Sequence, residues 1–361
     1  MNGAERIFAL VERARERHAS DVHVEPGNGV AYRVFTQVER VPGMSPESSE
    51  IEAFLDATVD RICRARLETI GIADGVYCDA RCGAMRIHVS RSARGTRLAI
   101  RLLARAIPDL DELGLPKIVE SFTAFRSGLV LIVGPPNSGK STAAAAILDR
   151  VNSTASKHIV SFEQPVEFSF AWSRSIVTQY EVGRDVSSFA DGVRGALRAD
   201  PDVIFIGELR GVDTVAAALQ AAEAGHLVFA ALHNPSETPH AINRVVGLFG
   251  VGEQESVRLR LADTLRAVIG LRLVPRRDRS GLRAAAEIAI ANDAVRRMIR
   301  DGAAHQIRLA IASSRKDGCQ TLESHLSELV ACGDIDLAAA RAASHYPDDI
   351  REPGSANIRH R

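Results

Sequence analysis

The chain has 361 residues, enough for two domains with full cores, and its 45 basic residues are matched by 45 acidic ones. That balance excludes a surface built for bulk attraction to a polyanion, so no specific nucleic-acid partner is expected, although a local basic patch is compatible with it. Five scattered cysteines do not make a disulfide framework, and no apolar run approaches the length that spans a bilayer.

Residues 1–105 read as a small α+β domain. Glu5 and Arg6 leave no signal-peptide pattern at the start. Residues 7–17 carry helical spacing, 21–24 and 31–34 alternate like strands, and 51–67 reads as one amphipathic helix. Cys78 and Cys82 form an isolated C-x-x-x-C pair, better read as two ordinary thiols than as half a zinc site. Residues 86–89 and 97–103 read as a strand pair turning around Ala93, Arg94 and Gly95. Residues 106–118 are the expected linker, since the stretch 107–116 concentrates proline, aspartate and glycine.

From 119 to 345 short apolar runs alternate with helical stretches. The runs at 129–133, 158–162, 203–206 and 227–232 lack clean alternation, as strands buried on both faces should. This predicts a mostly parallel sheet flanked by helices. Residues 253–345 read as largely helical, with a strand at 285–290, and the tail 346–361 as loose.

After the first of these strands comes Gly134-Pro135-Pro136-Asn137-Ser138-Gly139-Lys140-Ser141, followed by Thr142 and an alanine-rich helix. The segment fits G-x-x-x-x-G-K-[ST] in the strand–loop–helix context that a phosphate-binding loop requires. Its backbone N–H groups and the helix N-terminus suit a phosphate. Lys140 would reach the β- and γ-phosphates of ATP, and Ser141 would hold Mg²⁺. A bare glycine-rich turn is the weaker reading beside that context.

Hydrolysis needs further groups, and the strand ends supply candidates. Glu208 follows the strand 203–206 and Gly207, where a carboxylate could face Mg²⁺. Glu163 and Glu167 flank Pro165 after the strand 158–162; either could position water, and an acidic surface turn is an equal alternative. His226 and His233 bracket a strand seven residues apart and cannot share one small site. His233 could sense the γ-phosphate, whereas His226 suits a structural or subunit contact. Arg86, Arg91, Arg94, Arg97 and Arg101 crowd one hairpin, as a solvated basic face or as cations reaching a nucleotide across a boundary.

Together these segments resemble the secretion ATPase superfamily, most closely the PilT-like pilus retraction motors. The resemblance rests on Ala19-Ser20-Asp21-Val22-His23-Val24, the arginine hairpin, the acidic box 157–168, the segment 196–210 and the His-bracketed strand. It implies an α/β chain: a PAS-like N-terminal domain, then a RecA-like ATPase domain with a helical C-terminal part to which 265–269 and 294–302 belong. It also implies a ring of six subunits, cytoplasmic and acting on an inner-membrane pilus platform protein. Glu167 would position water, Glu208 would be the Mg²⁺-side acid, His233 the γ-phosphate sensor, and Arg86, Arg94 and Arg101 the cross-domain cations. Several residues depart from the family pattern. Gln164 and Gly211 stand where Asp is usual, Tyr180 where Arg is common, and Asn234 in place of Thr. Gly270 and Leu271 replace Ser-Gln. The four-cysteine motif of pilus-assembly ATPases is missing, which favours the retraction-like branch. The expected function is ATP hydrolysis that drives filament retraction, with an ATP-binding, weakly hydrolysing accessory subunit as the alternative.

Overall fold

In a computed structural model, residues 3–35, 37–103, 106–233 and 237–351 are described. Asn234 and residues 352–361 of the expected tail lie outside them. The chain divides into two compact units, Met1–Ala106 and Ile107–Arg361.

The first unit is a six-stranded antiparallel sheet of β1 (Ala19–Glu25), β2 (Gly29–Val34), β3 (Gln37–Val41), β4 (Ile72–Asp79), β5 (Gly83–Ser92) and β6 (Gly95–Leu102). Their order is β3-β2-β1-β6-β5-β4. Period-two alternation explains its layers. Val22, Val24, Tyr32, Ile87, Leu98 and Ile100 join the core under the helices Gly3–Glu16 and Ser48–Thr58. The intervening positions carry Asp21, His23, Arg33, Arg86, His88, Arg97 and Arg101. The single helix expected over 51–67 is two, Ser48–Thr58 and Arg61–Ile70. The break falls at Asp60, whose carboxylate accepts from the Cys63 N–H at 2.8 Å and starts the second helix. β3 and β4 were not anticipated, because strands that bury only one residue each leave no apolar run.

The second unit holds β7 (Gly128–Gly134), β8 (His158–Glu163), β9 (Ile176–Glu181), β10 (Val203–Ile206), β11 (Leu227–His233), β12 (Leu265–Pro275) and β13 (Leu282–Ile290). The order is β13-β12-β7-β11-β10-β8-β9, and every neighbouring pair is parallel except β12 with β13. β7 is buried along its whole length. Leu129, Leu131 and Val133 feed one core, while Val130 and Ile132 feed the core on the opposite face. The α/β architecture expected for this half is therefore present. One expectation fails here: residues 265–269 are not helical but open β12, an eleven-residue strand. Sandwiched between β7 and β13, its apolar run is satisfied by ladder hydrogen bonds and burial on both faces, which a helix at that place could not provide.

On β13, Glu287 is 2% exposed. It accepts from the Thr238 N–H at 2.6 Å and the Thr238 hydroxyl at 2.7 Å, tying the helix Thr238–Gly247 to the sheet. Burial pushes its carboxyl from 4.5 up to about 7, with Glu237 and Glu323 adding to the rise and the Thr238 bonds opposing it. The folded chain thus holds a proton there that the unfolded chain gives up between pH 4.5 and about 7. Stability from this group is full below that window and falls as pH rises through it. Glu287→Gln keeps the acceptor oxygen and removes the titration. In denaturant titrations from about pH 5 to about pH 8, the wild type should lose roughly 1–3 kcal/mol more than Glu287→Gln. Parallel profiles would rule this out.

Candidate active site

The parallel order brings the ends of β7, β11, β10 and β8 to one edge of the sheet. His233 is in register with Gly134. The Gly207 N–H bonds the Phe162 carbonyl at 2.8 Å, which sets Glu208 beside Glu163 at the ends of two adjacent strands. This crevice beyond the strand ends is where open α/β sheets bind ligands.

The loop between β7 and the helix Lys140–Thr154 needs its glycines. A Cβ on Gly134 would lie 2.3 Å from the Ser138 Oγ and 2.7 Å from the Leu271 carbonyl oxygen. Gly139 caps the helix at φ 90°, and Asn137 takes φ 63°, both in the left-handed region. The Ser138 hydroxyl is buried and has no hydrogen-bond partner among the described residues. A buried orphan hydroxyl, a left-handed turn and a helix N-terminus together fit a phosphate group.

Lys140 is buried, and its Nζ donates to the carbonyls of Gly134 at 2.9 Å and Pro135 at 2.7 Å. Burial lowers its pKa to about 8 against the opposing pull of Glu208 and Glu167. Glu163 is buried too; its Oε1 accepts from the Ser161 hydroxyl at 2.8 Å and the Gln179 amide at 3.2 Å. Burial pushes this carboxyl up to about 7, and Glu167 adds to the rise. His233 Nε2 lies 3.6 Å from Glu208 Oε2. Burial and then Lys140 lower the imidazole's pKa, so it stays a neutral ring at pH 7. Lys140, Glu163, Glu167, Glu208 and His233 therefore share one electrostatic neighbourhood. His226 stands apart at the other end of β11, its Nδ1 2.7 Å from the Pro201 carbonyl.

The arginine candidates belong to the first unit. Arg86 pairs with Asp74 at 3.3 Å and Arg101 with Asp21 at 3.0 Å, while Arg94 sits exposed in the turn between β5 and β6. Two contributors escaped the sequence reading. Gln179 bridges Glu163 and the Phe168 carbonyl from β9, a strand with no apolar signature of its own. Arg210 places its Nε 2.7 Å from Glu208 Oε2; the E-x-R spacing was the available signal. Tyr180, one of the departures, stacks on Phe162 at 5.4 Å between ring centroids with planes 9° apart, so it serves packing rather than charge.

Lys140 must be protonated to hold a phosphate, and its pKa near 8 sets the sign of a pH effect. Fluorescent-nucleotide affinity should weaken by up to about tenfold between about pH 7 and about pH 9 as that proton leaves. A flat profile would contradict the buried-lysine reading.

Comparison with known proteins agrees with this fold. The Type II/IV secretion system protein family matches residues 4–357. The type IV pilus retraction ATPase PilT of Pseudomonas aeruginosa is 34% identical over 344 residues, 95% of this chain and 99% of that protein. A twitching motility protein of Neisseria gonorrhoeae is 39% identical over 265 residues, 73% of this chain and 71% of that protein. Among solved structures, the pilus retraction motor PilT with bound ADP superposes with a TM-score of 0.83 at 36% identity, covering 95% of this chain and 98% of that one. With its phosphate-binding loop and the carboxylates around it, the chain belongs to the type II/IV secretion ATPase family and is a PilT-like ATP hydrolase.

Proposed function

We propose that this ATPase uses Mg²⁺-ATP in a ring of six subunits to retract a type IV pilus or a related secretion filament. The observation that carries the catalytic part is the convergence of Lys140, Glu167, Glu208 and His233 at four adjacent strand ends. The choice of filament work rests on the retraction and twitching relatives, which match most of this chain.

In this reading the backbone from Gly134 through Thr142 wraps the phosphates, and Lys140 supplies the positive charge. The Ser141 hydroxyl and the Glu208 carboxylate are hard oxygen donors of the kind Mg²⁺ takes. When bound, Mg²⁺ neutralises charge on the phosphate oxygens. Glu167 orients the attacking water and takes its proton. Glu163, buried and about half protonated near pH 7, holds the turn that carries Glu167 through its bonds to Ser161 and Gln179. His233 donates or accepts a hydrogen bond at the γ-phosphate as a neutral ring. Arg86, Arg94 and Arg101 act on a nucleotide across a domain or subunit boundary. The expected setting is the cytoplasmic side of an inner membrane, reached through a platform protein. None of the described helices is long and apolar enough to cross a bilayer.

A second reading, a weakly hydrolysing accessory subunit of another motor, is favoured by one observation: Glu208 is already engaged by Arg210. The two readings separate on turnover. The purified homo-oligomer should hydrolyse ATP at about 1 s⁻¹ or faster. Glu167→Gln should keep nucleotide binding and lose about 10²-fold or more in kcat. Lys140→Ala should lose nucleotide binding itself. Hydrolysis surviving in Lys140→Ala would sink the catalytic assignment, whereas wild-type protein that binds without turnover would favour the accessory reading.

A further inference from the structure

Arg210 sits between two side chains of the site. Its Nε meets Glu208 Oε2 at 2.7 Å, and its Nη1 donates to Gln164 Oε1 at 3.1 Å. Among the described residues, Glu208 is the one carboxylate within ion-pair distance of Arg210. The Gln164 amide can be oriented only one way. Its NH₂ donates to the Val182 carbonyl at 3.3 Å, which leaves its oxygen for the guanidinium. Gln164 is therefore a neutral acceptor that steers Arg210 without taking its charge.

From this juxtaposition we propose that Arg210 is a latch on Glu208, that a divalent cation must displace the guanidinium to reach that carboxylate, and that Gln164 keeps the latch closed. The proposal rests on the assignment of Glu208 as the metal-side acid. Its physical basis is competition. A carboxylate that already forms a charge-assisted bond has less to offer a cation, and the cation must supply the free energy of separating the pair. An acidic residue at 164 would divide the guanidinium between two carboxylates and loosen its hold on Glu208. A neutral amide at the same distance cannot. Arg210 and Gln164 are positioning residues in this account: they set the availability of Glu208, and neither is assigned a part in the chemistry. Because Arg210 is largely exposed while Glu208 is mostly buried, the pair is partly screened and can open without unfolding its surroundings.

The test is Mn²⁺ binding by the full chain with equimolar ADP, followed by the electron paramagnetic resonance signal of free Mn²⁺. Wild type is compared with Arg210→Gln, Gln164→Glu and Glu208→Gln. Removing the latch (Arg210→Gln), or weakening it with an isosteric charge (Gln164→Glu), should tighten Mn²⁺ binding by about two- to fivefold, the range for a partly exposed ion pair. The gain from Arg210→Gln should shrink as salt is raised. Glu208→Gln should bind Mn²⁺ more weakly than wild type. Unchanged or weaker binding in Arg210→Gln overturns the latch, and unchanged or weaker binding in Gln164→Glu overturns the part given to Gln164. Wild-type affinity in Glu208→Gln would instead overturn the underlying assignment of Glu208, so the two failures are told apart.

Discussion

The site depends on one buried cation. Lys140 occupies a place where an isolated ammonium is costly, and two loop carbonyls and two nearby carboxylates make that place tolerable. Neither half of the arrangement is sufficient. The carbonyls accept its hydrogen bonds but carry no full charge, while the opposing pull of Glu208 and Glu167 comes from beyond the ends of β10 and β8. The lysine is therefore compatible with burial only once β7, β8 and β10 have assembled in order. Fold and site share this requirement, because the sheet that forms the core also brings the compensating charges to the loop.

The surrounding carboxylates differ because their environments differ. Glu163 lies inside the sheet edge, satisfied by Ser161 and Gln179, and burial drives it toward its neutral form. Glu208 sits at the mouth, where Arg210 and His233 approach the same oxygen. Two acids on adjacent strand ends are thus divided into a packed residue held by neutral partners and a more open one approached by Arg210 and His233. That division is local physics, set by one strand's worth of depth.

The phosphate-binding loop and four of the parallel strands were legible because both depend on short-range pattern: glycines where the backbone must curl, and continuous apolar runs where both faces are covered. The positions of Glu208 and His233 at strand ends were legible because the apolar runs stop just before them. What escaped reading depends on neighbours distant in sequence. β12 carries arginines among its apolar residues, and only its place between β7 and β13 makes it a strand. β9 is a half-exposed edge whose Gln179 acquires meaning only beside Glu163. The break at Asp60 escaped because the apolar spacing continues across it.

β12 also shows how the loop is linked to the rest of the second unit. Its backbone lies so close to Gly134 that a Cβ there would meet the Leu271 carbonyl at 2.7 Å, and the Leu273 side chain packs near Gly139. The residue between them alternates away from the loop: Arg272 meets His345 at 3.2 Å. His345 in turn lies 3.9 Å from Glu237, next to the Thr238 that Glu287 holds. One strand therefore touches the phosphate-binding loop through its backbone and the C-terminal segment through a side chain. The same C-terminal segment reaches the start of the helix that follows His233. A shift of the loop that moved β12 would also disturb the Arg272–His345 contact and the ladder to β13, which carries the buried Glu287. The two sides of the candidate site, the loop and the strand that ends at His233, are consequently linked through β12 and β13 as well as through the direct ladder between β7 and β11.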